Sequence, residues 1–296
     1  MKRRDRSSAF TLIELVLAVG ILVMLVILIS YLMSGATLAI NQSGKRMDSD
    51  SQIRIIFDRM ANDFGAIIRR KDVDYIFAKQ NGNDTMYFFS EAAKYFDTSV
   101  TDSAKSSLAL VGYRVNSNFQ LERLSRGLTW DGQVGPSPAP GSIIFLTPSG
   151  SLTPVSSSTI AGNWAAAVGT GPSYSNGTGT DYHVIGDQVY RLEFSFLQTN
   201  GTISTSVTSY NGLQAISAII VGVGMLDDTS RLLVAPPNGQ ITSTVGIPMV
   251  NALPDAVDGV APLQTWKASS YMTTSGIPAA AAGQLRIYER TFVFPQ

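Results

Sequence analysis

The stretch "SSAFTLIELVLAVGILVMLVILIS", Ser7 to Ser30, is apolar almost throughout and carries one carboxylate, Glu14, near its front. No Asp, Glu, Lys or Arg occurs from Leu15 to Gly44. A helix rises about 1.5 Å per residue, so about twenty apolar residues cross the ~30 Å hydrocarbon layer of a bilayer. Phe10 to Met33 is long enough. Lys2, Arg3, Arg4 and Arg6 precede it, with only Asp5 among them. Basic flanks stay cytoplasmic, which predicts that everything after about residue 40 lies outside the inner membrane. A cleaved secretory signal has an apolar core of about 7 to 15 residues with small residues after it. Here the run is longer, and the small residue, Ala9, comes before it. A plain anchor explains neither Glu14 nor the order "AFTLIEL".

That order, Ala9 to Leu15, resembles the prepilin cleavage and methylation motif of type IV pilins and type II secretion pseudopilins. In that family a membrane peptidase cuts on the cytoplasmic side before the Phe, methylates the new amino terminus and leaves a Glu as the fifth mature residue. The resemblance implies cleavage between Ala9 and Phe10, N-methylation of Phe10, and an assembly role for Glu14. The family usually carries Gly where this chain has Ala9. Glu14 then lies about 6 Å along the helix from the new terminus, near the interface, where a carboxylate costs less than at the midplane. In a filament it can pair with the amine of Phe10 on a neighbouring subunit. Such a buried pair sets register more than it adds affinity.

Past the apolar run, Ile53, Ile56, Phe57, Met60, Phe64, Ile67 and Ile68 recur at three- and four-residue spacing, with Arg54, Asp58, Arg59 and Asn62 between them. This predicts an amphipathic helix over Lys45 to Arg70, one face packed on a sheet. Gly35 and Gly44 weaken helix by about 1 kcal/mol each relative to Ala, so a local bend or break is expected there.

After Asp74 the period becomes that of strands. The candidates are "TMYFFS" (85–90), "LALVGYRV" (108–115), "FQLERL" (119–124), "SIIFLT" (142–147), "VYRLEFSFL" (189–197), "AISAIIVGVGML" (215–226) and "LRIYERTFVF" (285–294). Asn116, Ser117 and Asn118 supply turn chemistry for a hairpin between the second and third. Val189, Leu192, Phe194 and Phe196 mark an inner face that alternates with Arg191, Glu193 and Ser195. Residues 127–181 and 227–283 read as loop-rich, the latter with a short helix over 260–272. The fold class expected is α+β, a long N-terminal helix packed on an antiparallel sheet, pilin-like, with long loop insertions. The organisation expected is a leader over 1–9, a membrane and filament-core helix over 10–33, its amphipathic continuation over 34–74, and a periplasmic β-rich domain over 75–296.

The order of "DRMANDFGAIIRR", "VGYRVNSNFQLERL", "GDQVYRLEFSFL" and "YERTFVFP" also resembles the J-type minor pseudopilin of type II secretion systems and the pilin-motif cassette proteins of the Verrucomicrobia. The resemblance implies a single-pass inner-membrane protein built into the tip of a periplasmic filament. Its partners would be the prepilin peptidase, other pseudopilins, the inner-membrane assembly platform and membrane lipid. The alternative is a minor type IV pilin acting as an adhesion or uptake module.

Composition narrows the chemistry. The 296 residues hold 22 basic and 22 acidic side chains, and removing residues 1–9 leaves 18 against 21. A mildly acidic body lacks the basic footprint of a nucleic-acid binder. With no cysteine there is no thiol nucleophile and no thiolate metal site. His183 is the single histidine, which excludes a multi-His zinc site, and no G-x-S-x-G elbow, P-loop or G-x-G-x-x-G is present. "GVGML" from Gly222 reads as strand. Asp227 with Asp228, and Asp255 with Asp258, lack calcium-loop spacing and read as solvated turns. The expectation is no enzyme, no cofactor and no metal. Trp130, Trp164 and Trp266 read as partial core anchors.

Overall fold

The computed structural model describes residues 11–71, 73–91, 94–95, 105–127, 160, 168, 182–187, 189–207, 212–234, 243–268 and 278–294. Ala9, Phe10, the strand expected over 142–147, Trp130 and Trp164 lie outside them. Helix α1 runs without interruption over Leu12–Gly65. Gly35 and Gly44 do not break it, and a Cβ at either would meet nothing within 4 Å. The hydroxyls of Ser30, Ser34 and Thr37 donate to the carbonyls four residues earlier, at 2.8 to 2.9 Å, so these polar groups satisfy themselves within the helix. The chain divides into two compact units, residues 1–47 and 48–296.

In the second unit, the strands are β1 (Ile76–Ala78), β2 (Thr85–Ser90), β3 (Lys94–Tyr95), β4 (Lys105–Ser106), β5 (Ala109–Val115), β6 (Leu121–Gly127), β7 (Tyr182–Gly186), β8 (Val189–Gln198), β9 (Ile203–Ser204), β10 (Ile216–Met225) and β11 (Arg286–Val293). They form an antiparallel sheet in the order β1-β2-β5-β6-β7 and a second in the order β11-β10-β8-β9, with β3 and β4 pairing separately. This is the α+β arrangement expected, with two larger sheets among the described residues where one was expected.

The predicted amphipathic face of α1 is the centre of the core. Ile56, Met60 and Phe64 are fully buried, and Ile53 and Phe57 nearly so. They share one cluster with Met86, Phe88 and Val111 of the first sheet and with Phe194, Val221 and Phe292 of the second. Asp63 sits on the same buried face. It is met by Nε and Nη2 of Arg123 at 2.5 and 2.7 Å and accepts from the Tyr113 hydroxyl at 2.5 Å. Burial, and then the charge of Asp63, hold the Tyr113 hydroxyl well above its usual range, so it stays a donor.

Helix α1 ends at Gly65, short of the predicted Arg70. The reason is tertiary. β1 covers only Thr85 to Tyr87 of β2, and the remaining edge is completed by the segment after the helix. The Ile68 amide donates to Phe89 (2.9 Å), and the Glu91 amide donates to Ala66 (2.8 Å). Ile67 and Ile68 therefore leave the helix to satisfy β2, as an exposed edge requires.

Residues 227–283 hold more helix than predicted: α2 (Asp228–Val234), α3 (Ser243–Ala252), α4 (Pro262–Ala268) and α5 (Ala279–Ala282). They cover the outer face of the second sheet, where Trp266 is fully buried and donates its Nε1–H to the Pro254 carbonyl at 2.9 Å. This cover buries the polar face of β8 as well, and Arg191, Glu193 and Ser195 are no more than 1% exposed. Gly222 of β10 permits the approach of α4. A Cβ there would lie 2.7 Å from Pro262 Cβ and 2.8 Å from the Trp266 ring. Substituting Gly222→Ala should cost about 1 to 3 kcal/mol by overpacking and shift Trp266 emission. An unchanged denaturation midpoint with unchanged emission contradicts this packing.

Candidate functional site

At the start of α1, "TLIE" closes on itself. The Thr11 amide donates to Glu14 Oε2 at 3.0 Å, and the Thr11 hydroxyl donates to the same oxygen at 2.9 Å. In return the Glu14 amide lies 3.4 Å from Thr11 Oγ1. This is a capping box, with Thr11 as the N-cap and Glu14 three residues on. The S/T-x-x-E signature was present in the sequence, and it gives Glu14 a local task beside the one implied by the pilin motif. The apolar side chains from Leu12 to Leu38 are exposed. None of this apolar stretch is buried, compatible with a single-pass membrane anchor.

Three of the acids weighed as calcium ligands, Asp227, Asp255 and Asp258, have other partners. Asp227 caps α2, accepting from the Ser230 amide at 3.1 Å. Asp255 accepts from the Gly82 amide at 3.0 Å and from Arg191 at 2.6 Å. Asp258 accepts from the Thr205 amide and hydroxyl at 2.7 and 2.9 Å. Among the described residues no three His, Cys, Asp or Glu side chains gather as a metal cluster. His183 lies on β7 with its side chain exposed.

A buried polar network joins the two sheets. The free edge of β8 beyond short β9 is capped by the β1–β2 loop. Leu192 donates to Asn83 Oδ1 (2.8 Å), Asn83 Nδ2 to the Tyr190 carbonyl (3.1 Å), Asp84 to the Leu192 carbonyl (3.0 Å), and Phe194 to Asp84 Oδ2 (3.0 Å). Lys79 Nζ bridges Asp84, at 3.2 Å, and Glu193. Arg191 Nη2 lies 2.6 Å from both Glu193 Oε1 and Asp255 Oδ1. Burial first, then the charge of Glu193, push the Asp84 carboxyl up to about 7.

Beside this network lies an open groove of about 690 Å³, bounded by the β1–β2 loop, the β5–β6 turn and α3. Asn116 fixes the turn. Its Oδ1 accepts from the Asn118 and Gln120 amides at 2.9 and 3.0 Å, and its Nδ2 donates to Gln120 and Glu122 at 3.2 and 2.8 Å. Phe119, with φ of 58°, occupies a left-handed position that normally takes Gly, at a cost of about 1 to 3 kcal/mol. The predicted turn is thus correct, but Phe119 belongs to it, and β6 begins at Leu121.

No protein-family model matches the chain, and no curated protein matches it. Among solved structures, the type IV-like pilin TTHA1219 from Thermus thermophilus is similar, at 10% identity, covering 83% of this chain and 95% of that one, with a TM-score of 0.35.

The raised Asp84 carboxyl has a signed consequence. Its folded-state pKa exceeds the unfolded value, so the folded state holds the proton more tightly. Its contribution to stability is fully present below about pH 4 and is lost as pH rises through about 7. Urea midpoints of the full chain in detergent should therefore fall between pH 6 and 8, by an amount that Asp84→Asn reduces, the remainder belonging to Glu193, whose carboxyl is also raised by burial. Equal slopes for the two proteins contradict this assignment.

Proposed function

We propose that this chain is a minor pseudopilin. It is made as an inner-membrane precursor, cut between Ala9 and Phe10 by a prepilin peptidase, methylated on Phe10 and built into the tip of a short periplasmic filament. In this reading residues 1–9 are the cytoplasmic leader, residues 10–33 span the membrane and then pack as filament core, and the domain after α1 stands in the periplasm. There it meets other pseudopilins and helps start assembly for export.

One observation carries the reading. Glu14, fifth from Phe10, stands in the first turn of a single 54-residue helix with exposed apolar side chains at one end and the domain core at the other. A filament subunit needs both an apolar stretch and a stretch that docks its domain. Extracted from lipid, the apolar stretch must be covered by its equivalents in neighbouring subunits, since exposed apolar surface of that extent is not stable in water. The buried half keeps the domain attached to it. Nothing in the capping box opposes the assembly role. In the precursor Glu14 caps its own helix; in the filament the cationic amine of a neighbouring Phe10 offers a stronger, charge-assisted partner.

The capping box also sharpens the test. Both Glu and Gln serve at the third position of a capping box, so Glu14→Gln keeps the cap and removes the charge, whereas Glu14→Val removes both. Expressed with its partner subunits, each variant should be processed and remain in the membrane, and each should be absent from sheared filaments that contain the wild-type chain. Recovery of Glu14→Gln in filaments at the wild-type level would mean that Glu14 serves only as a cap, against the proposed pairing.

A further inference from the structure

The groove between the β1–β2 loop, the β5–β6 turn and α3 has no task in the assembly reading, and its chemistry is distinctive. Six carboxamides line it, and of these Asn81, Asn118 and Asn251, one from each bounding element, are not engaged by another described side chain, whereas Gln80, Asn83 and Asn116 are. The lining charges are Arg114 and Glu122, paired with each other at 2.8 Å, so the groove offers no net charge to an ionic ligand. Its apolar surface comes from Phe119, Val250 and Ile247, the last 53% exposed.

We propose that this groove binds a short neutral oligosaccharide. A carboxamide presents a donor and an acceptor in one plane, and each hydroxyl of a sugar is both donor and acceptor. Three unengaged carboxamides on residues that line one groove suit a chain of vicinal hydroxyls. The C–H faces of the sugar rings need apolar surface, which Phe119 and Ile247 provide, and a volume of about 690 Å³ suits a ligand of this size. A nucleotide or an acidic peptide would want the unbalanced cations that the groove lacks.

The walls are fixed before a ligand arrives. Asn116 holds the β5–β6 turn through four hydrogen bonds. The β1–β2 loop is tied to β8 through Asn83 and to Asp255 through the Gly82 amide. Gly82 sits at φ of +123°, and a Cβ there would come within 3.2 Å of Val250. Binding therefore orders little that is not already ordered, which favours affinity for a weakly interacting neutral ligand. The left-handed Phe119 fits the same reading. Strained non-glycine backbone gathers at ligand sites, and here the strain holds an aromatic ring at the wall where glycine would leave none.

The test uses the full chain in lauryldimethylamine oxide micelles, because detergents with sugar headgroups would compete. Cellotetraose, maltotetraose, chitotetraose and mannotetraose are titrated by calorimetry and by saturation-transfer NMR, with tetragalacturonate and a Gly/Ser-rich peptide as comparisons. At least one neutral tetrasaccharide should bind with Kd below about 1 mM. The Asn118→Ala/Asn251→Ala double variant should weaken it at least about tenfold with an unchanged melting temperature, since neither side chain supports the fold. The proposal is overturned if no neutral tetrasaccharide binds, if the peptide or the uronate binds and the neutral sugars do not, or if the double variant binds as tightly as the wild type.

Discussion

Two sheets share one helix face, and that constraint organises the globular domain. Ile56, Met60 and Phe64 share one buried cluster with the inner residues of both sheets, so neither sheet can complete its core without the last three turns of α1. Asp63 makes the arrangement specific. A carboxylate on a buried helix face is tolerable only with partners, and Arg123 and Tyr113 stand on adjacent strands where they can reach it. Sliding the helix by one turn would bury a charge without a counter-charge, an error costing about 3 to 5 kcal/mol. The apolar residues supply the driving force for docking, and Asp63 selects the register.

The same economy appears where the sheets meet. β8 has a free edge because β9 is two residues long, and an uncapped edge would leave buried amides without partners. Asn83 and Asp84 imitate a neighbouring strand with their side chains and backbone, which draws the β1–β2 loop of one sheet onto the other. Lys79 and Arg191 then pair with the carboxylates of Asp84, Glu193 and Asp255. One outcome is a protonation-sensitive seam; another is a groove wall fixed in place on the far side of the loop.

Much of this was legible in the residues. The spacing from Ile53 to Phe64 marked the docking face of α1 because one helix face is buried and the other is not. Strands β2, β5, β8, β10 and β11 were visible as runs of β-branched and aromatic residues. What escaped the reading depended on partners distant in sequence. Helix α1 stops at Gly65 because β2 has an edge to fill, which nothing in residues 66–70 announces. The alternation of Arg191, Glu193 and Ser195 with apolar residues resembles a half-solvated strand, yet four short helices, poor in pattern and rich in Ala, Pro and Gly, cover that face. Glu14 stood out through its motif, whereas the groove is assembled from three segments, none conspicuous alone. Its one local oddity, Phe119 in a glycine position, needs backbone geometry to be seen.

The functional account rests on Phe10 becoming the first residue, since only then does Glu14 meet a cationic amine at the position a filament requires. The most direct measurement is the mass of the N-terminal peptide of the chain isolated from its native membrane. The account predicts a peptide that begins at Phe10 and carries one methyl group on its amine. A peptide that still begins at Met1 would contradict it, leaving α1 as a plain anchor for the domain.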